Sequence, residues 1–349
     1  MARRATIDRL MKEQGLRRVT SGTLRLQRRR CGRGFRFVDG DGKTIRDGET
    51  IARLKSLAVP PAYTRVRYAA DPCAHLQAVG EDAAGRRQYR YHPDWSRIRE
   101  AIKARKLRDL ARSLPRIRRA VARALAGEAG EARHAVAAAV RLVMKAAIRA
   151  GGDTYARERG TRGATTLLKS NVEIDGAIVR LRFRAKGAKT VTREVADRRL
   201  AAALAALAAL PGRRLFQYRG EDGTVRRLRA REVNAFLREV SGRSISLKDF
   251  RTLLASAGVM TALASGAPPR GSRRQKAAIR GAIMAAAESL ANTPTVCRKS
   301  YVHESVIAAF EEGRLPRRPA RGIEGRALAL ARVVARRDRG DATPARPGR

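Results

Sequence analysis

A chain of 349 residues that sets 77 Lys and Arg against 32 Asp and Glu carries a net charge of +45 at neutral pH. Nothing else in the sequence restricts its folding as much. A compact state concentrates like charge, so the cations must be spread over surface and met by anions. The default partner of such a field is a polyanion, with nucleic acid first and an anionic membrane surface second. Part of the charge is discounted, because Ala and Arg usage this heavy is what a GC-rich coding sequence gives. Hydrophobic residues still make up 44%, enough for a real core, and the length suits one large domain or two ordinary ones.

Several classes fall away. The longest strictly apolar run, Leu200 to Leu210, has eleven residues, short of the roughly 18 that cross a bilayer. The start, Met1-Ala2-Arg3-Arg4, is basic, but no apolar stretch follows, so a cleaved secretory signal is not expected. Three cysteines (Cys31, Cys73, Cys297) without a CxxC pair argue against a disulfide framework or a zinc ribbon and fit a reducing compartment. Four scattered histidines form no HExxH or HxH pattern, and neither a Walker loop nor a GxGxxG is present.

Four segments follow from composition and periodicity. Residues 1–28 read as a basic arm, since the first 36 residues hold twelve Lys/Arg and two acids, with Arg28-Arg29-Arg30 among them. Residues 29–95 read as a small β-rich domain. Phe35 and Phe37 alternate with Arg36 ahead of the Asp39-Gly40-Asp41-Gly42 turn, and His75 to Tyr91 forms a strand-like stretch around Ala84-Gly85. Residues 96–312 read as mainly helical. Val136, Val140, Val143 and Ala147 make one helical stripe, ended at Gly151-Gly152. Leu200, Leu204 and Leu207 make another, and so do Ile279, Ile283, Ala286 and Leu290. Between them Val179, Leu181 and Phe183 alternate with arginines, so a small sheet with a turn at Lys186-Gly187 is expected. Residues 313–349, with eleven Arg and three acids, read as a basic, partly disordered tail with one short helix near 324–337. The fold class expected is α+β.

Polar stretches set in apolar surroundings carry the chemistry. They are Ala147-Ile148-Arg149-Ala150-Gly151 with Thr165-Thr166-Leu167, Arg184-Ala185-Lys186-Gly187, Lys248-Asp249-Phe250-Arg251-Thr252, and Asn292-Thr293-Pro294 with Arg298-Lys299-Ser300-Tyr301-Val302. Upstream lie Leu57-Ala58-Val59-Pro60-Pro61-Ala62-Tyr63, His75-Leu76-Gln77-Ala78 and Arg87-Gln88-Tyr89-Arg90-Tyr91-His92. In this order, over about residues 30–312, they resemble the type IB DNA topoisomerases, specifically the poxvirus-like bacterial branch.

The resemblance implies a β-rich N-terminal domain and a larger, mainly helical catalytic domain forming a C-shaped clamp on double-stranded DNA. It implies supercoil relaxation through a 3′-phosphotyrosyl intermediate, strand rotation and religation, without ATP, metal or other cofactor. Tyr301 would be the nucleophile. Arg149 and Arg251 would hold the scissile phosphate, Asn292 would donate to a non-bridging oxygen, and Lys186 would be the general acid. Gln88, Tyr89, Tyr91 and Lys248 would touch DNA. A monomer is expected, cytoplasmic and associated with the nucleoid. Such chemistry asks for guanidinium forks against the charge of a pentacoordinate phosphorane, an acid for the 5′-alkoxide, and a positive field for a tyrosine whose pKa is near 10.

The sequence departs from the family at Gly152, Ala185, Arg162 and Ala291, where the family usually has Asn, Gly, Tyr and Gly. Plainer roles stand beside each assignment. Arg149 could serve a helix dipole, Arg251 could pair with Asp249 at the surface, Asn292 could only stop a helix, and Lys189 is a rival to Lys186. Two other functions compete with this one. A tyrosine recombinase shares the Arg…Lys…Arg…Tyr order but usually carries His where this chain has Lys248. A non-enzymatic architectural DNA-binding protein would explain the charge and leave the motifs unexplained.

Overall fold

The computed structural model describes residues 2–265, 271–316 and 321–340. The chain divides into two compact units, Met1–Ile102 and Lys103–Arg349.

The first unit is built on a five-stranded antiparallel sheet. Its strands are β1 (Leu26–Cys31), β2 (Gly34–Val38), β3 (Thr64–Tyr68), β4 (Leu76–Glu81) and β5 (Arg87–Tyr91), ordered β2-β1-β3-β4-β5. Two helices belong to it, α1 (Ala2–Glu13) and α2 (Gly48–Ser56). Asp47 caps α2 by accepting from the Thr50 N–H at 2.9 Å. Leu54 of α2 then packs on Leu26, Phe37, Val66, Tyr68 and Ala78. β5 lies at the sheet edge.

The basic arm expected over 1–28 is folded in its described part. Met11 and Leu16 are buried with Ile98. Arg28, expected in that arm, sits on β1 and donates to the carbonyls of Val59, Pro60 and Tyr63 at 2.8–2.9 Å. Arginine conceals this strand from a periodicity reading, because a guanidinium on a long stem can satisfy buried backbone carbonyls.

The 31-residue helix α3 (Trp95–Leu125) carries Ile98 in the first unit, and Leu107, Leu110, Leu114 and Ile117 in the core of the second. At the centre of the second unit is α4 (Ala132–Ala146). It is apolar on nearly every side, as a helix enclosed by others must be. After α5 (Asp153–Glu158), strands β6 (Val172–Asp175), β7 (Ile178–Arg184) and β8 (Thr190–Ala196) form an antiparallel sheet in that order. Val179, Leu181 and Phe183 point into the core, as their alternation predicts. Helix α6 (Arg198–Ala209) packs on this sheet and is capped by Asp197, which also accepts from Arg141 at 2.9 Å. A short hairpin, β9 (Gln217–Arg219) and β10 (Val225–Arg227), leads to α7 (Ala230–Ser241) and α8 (Leu247–Ala264). Helices α9 (Ser272–Ser289), α10 (Pro294–Ser300), α11 (Glu304–Glu311) and α12 (Gly322–Gly340) complete the unit.

The tail expected at 313–349 is also folded where it is described. Ala327, Leu330, Val333 and Val334 of α12 are buried against the core, and α12 packs on α8 and α11. Four apolar residues at helical spacing outweigh the arginines between them. Residues 317–320 and 341–349 of that expectation lie outside the described residues. Among the described residues no helix is long and apolar enough to cross a membrane.

Candidate active site

Arg149 stands just past the end of α4. The helix is stopped by Ala147, whose φ of 54° is left-handed. The chain behind Arg149 is held by the turn at 163–166. Ala164 N–H donates to the Arg149 carbonyl, and Thr165 N–H donates to that of Ala150, both at 2.8 Å. Thr166 closes the turn, its Oγ1 accepting from the Gly163 N–H at 2.9 Å. The packing leaves no room at Gly163. A Cβ there would lie 2.6 Å from the Arg149 carbonyl oxygen and 2.5 Å from the Gly151 nitrogen.

Arg251 lies on α8 and is only 2% exposed. It donates to the carbonyl of Leu290 at 2.9 Å and to that of Ala147. Asp249 is not its partner. That carboxylate accepts from Lys106 Nζ at 2.8 Å and from Ser246 at the start of the helix. Arg251 thereby ties α8 to the ends of both α4 and α9. Asn292 follows Ala291, which takes a left-handed φ of 48° where the family usually has Gly. Its Oδ1 accepts from Arg149 Nη2.

Tyr301 is 8% exposed and ends α10, a helix capped by Thr293 with Pro294 in its first turn. The Arg251 guanidinium lies 5.0 Å from the Tyr301 ring centroid. Burial alone would raise the phenol's pKa. The charge of Arg251, with Arg149 and Lys248 behind it, outweighs that effect and brings the pKa below its ordinary value. Arg251 is pushed down in turn, first by burial and then by Arg149, while Tyr301 opposes the shift. The thiol of neighbouring Cys297, fully buried, is pushed up by burial.

Four of the five expected catalytic residues therefore meet: Arg149, Arg251, Asn292 and Tyr301. Lys248 sits one turn before Arg251, exposed, with its charge felt at the phenol. A small cavity beside them is lined by Arg149, Arg162, Arg193, Arg251, Ala185 and Ala291, among others, with no acid in its wall. Lys186 is not part of the group. It is exposed at the β7–β8 tip, next to the cavity-lining Ala185 and to Gly187 and Ala188, both at positive φ. Gln88, Tyr89 and Tyr91 belong to the first unit, on edge strand β5. Gln88 donates to Asp82 at 2.8 Å. Tyr89 and Tyr91, 44% and 41% exposed, stack at 6.3 Å between centroids, and Tyr91 stacks on Trp95 at 5.7 Å.

Residues 94–315 match the family described as eukaryotic DNA topoisomerase I, catalytic core, and residues 34–82 match bacterial DNA topoisomerase IB, N-terminal domain. The chain belongs to the type IB DNA topoisomerase family. It is 29% identical over 284 residues to DNA topoisomerase 1B of Acanthamoeba polyphaga mimivirus, an alignment covering 79% of this chain and 84% of the relative. The chain is thus a type IB topoisomerase, an isomerase, with the N-terminal domain of the bacterial branch. Arg149, Lys186, Arg251, Asn292 and Tyr301 all fall inside the topoisomerase core match. Gln88, Tyr89 and Tyr91 fall between the two matched segments.

Two supports of the group around Tyr301 were not foreseen from the sequence. Ser256, fully buried on α8, donates to the Tyr301 carbonyl at 2.9 Å and accepts from the His303 N–H at 3.0 Å. It fixes the backbone on either side of Val302. Arg193 on β8 donates to the carbonyls of Glu288 and Ser289 at 2.9 and 2.8 Å, holding the C-terminal end of α9 just before Asn292. Ser256 has a readable signal, a lone hydroxyl inside the apolar stretch Leu253 to Met260. Arg193 has none, being one arginine among many.

Proposed function

We propose that this topoisomerase relaxes double-stranded DNA, with Tyr301 as its nucleophile. The Tyr301 Oη attacks a backbone phosphorus and its proton is lost to solvent. The bond from phosphorus to the 5′-oxygen breaks, leaving a 3′-phosphotyrosine and a free 5′-hydroxyl protonated by Lys186. The nicked strand rotates, and the 5′-hydroxyl attacks the phosphotyrosine to reseal the strand and release Tyr301. The phosphodiester energy is kept in the covalent bond, so the cycle needs no ATP.

One observation carries this assignment. Beside Tyr301, the Nε of Arg251 and the Nδ2 of Asn292 are buried donors without a partner among the described residues. An orphaned buried donor costs roughly 1–3 kcal/mol, so a ligand that takes up both at once is favoured here. A phosphate offers acceptor oxygens to both, and with Arg149 the set matches the charge that gathers on a pentacoordinate phosphorus. Lys186, exposed at the hairpin tip next to the cavity-lining Ala185, is assigned the leaving oxygen. The exposed Tyr89–Tyr91–Trp95 stack and Gln88 supply a further DNA contact from the first unit, and Lys248 supplies another at the site. A single chain carries every group named, so one chain per site acts on chromosomal DNA in the cytoplasm.

Trapping the intermediate tests the reading. DNA labelled on the 3′-phosphate side of the cut becomes covalently attached to the wild type in denaturant. Tyr301→Phe is expected to bind the same DNA and form no adduct. An adduct of undiminished yield with Tyr301→Phe would place the nucleophile elsewhere.

A further inference from the structure

A second cleft of about 870 Å³ opens in the Lys103–Arg349 unit, between α3, α4, α6, α8 and the first turn of α12. It shares no lining residue with the catalytic cavity. Its volume lies in the range of small-molecule sites. Arg118, Arg119, Arg141, Lys145, Arg199 and Arg326 line it against a single acid, Glu324. Glu324 is taken by Arg118, while Arg141 and Lys145 share Asp197. Arg119, Arg199 and Arg326 face the cleft with no acidic partner among the described residues. The first turn of the 19-residue α12 lines the cleft through Gly322 and Ile323, at the positive end of the helix dipole. The floor is different in kind: Pro115, Met144, Leu254 and Ile323 are half-buried apolar side chains.

We propose that this cleft binds a nucleoside polyphosphate, with the phosphates on the arginine rim and the α12 N-terminus and the base on the apolar floor. The pairing of a cationic rim with an apolar floor selects this class. Inorganic polyphosphate would satisfy the rim and leave the floor wet. A DNA duplex presents phosphates on a convex surface with its bases already stacked, so it too leaves the floor uncovered. The ligand is a bound effector and not an energy source, because the cleavage cycle conserves its bond energy. It would tie α12 to α4 and α8, the helices that precede Arg149 and carry Arg251.

The test is equilibrium binding to the full chain at physiological salt, with ATP, adenosine and inorganic tripolyphosphate as probes. One saturable ATP site is expected, with a rise in Tm. Adenosine and tripolyphosphate should each bind at least about tenfold more weakly, or about 1.4 kcal/mol. Arg119→Glu combined with Arg199→Glu should weaken ATP by at least about tenfold, while Arg231→Glu on α7, away from the cleft, should not. Arg119 and Arg199 are exposed, so the double variant folds, which its own Tm verifies; Arg119→Gln with Arg199→Gln repeats the test without added negative charge. Tripolyphosphate binding as tightly as ATP would overturn the nucleoside assignment. Equal losses in the double variant and Arg231→Glu, or no saturable binding, would overturn the site. None of these readings depends on DNA cleavage, so they stand or fall separately from the role given to Tyr301.

Discussion

At Tyr301 two effects oppose each other. Burial stabilises the neutral phenol, while Arg251, Arg149 and Lys248 stabilise the phenolate, and the cations prevail. The sign has a kinetic consequence. In single-turnover cleavage the rate should rise with pH up to a midpoint below the ordinary tyrosine value near 10. Lys248→Ala removes a charge that lowers the pKa, so its midpoint should move to higher pH. A limb that stays in place would remove Lys248 from the field at the phenol. Arg251 contributes differently. It is buried, hydrogen-bonded to two helix-end carbonyls, and still holds an unpaired Nε. The same side chain therefore ties two helix ends together and keeps one donor available for a ligand. The conservative Lys cannot reproduce this, because an ammonium lacks the planar fork.

Among the elements, the turn at 163–166 holds the backbone that carries Arg149. Its backbone bonds to Arg149 and Ala150 leave no space for a methyl group at Gly163. Gly163→Ala should force the two segments apart and reduce cleavage by about 10²-fold or more, the scale of a reacting group misplaced by about 1 Å. DNA affinity should change little. Cleavage within a few-fold of wild type would show that the turn does not set the Arg149 position. Elements with strong apolar periodicity were legible in the sequence. The α4 stripe, the β7 alternation and the α9 stripe all appear where the pattern put them. That Arg149, Arg251, Asn292 and Tyr301 belong together was legible through the motifs of the family resemblance, and not from composition or periodicity. What was not legible is where arginine does structural work. Arg28 on β1 and Arg193 on β8 satisfy backbone carbonyls, and in a chain with 77 basic residues neither differs in sequence from a solvated cation. Ala147 and Ala291 end helices at positive φ, where Gly is the usual signal, so those stops were hidden too.

For the whole molecule, the +45 charge sets how DNA binding responds to salt. Each phosphate neutralised by Lys or Arg adds about 0.9 to the slope of log K against log salt. Lys248→Ala should lower that slope by about 0.9. Tyr89→Ala with Tyr91→Ala should weaken binding and leave the slope unchanged, because stacked aromatic rings release no counterions. A reduced slope in the double tyrosine variant would mean that this edge of the β5 sheet acts by placing its arginines, not through its rings. On the proposed reading, charge on both units gathers DNA and the group around Tyr301 in the second unit cuts it. The most direct test of that claim is relaxation of negatively supercoiled plasmid, in EDTA and without ATP, by wild type and Tyr301→Phe. The account predicts complete relaxation by the wild type and none by Tyr301→Phe, whose DNA affinity is retained. Relaxation at the same rate by both proteins would contradict it.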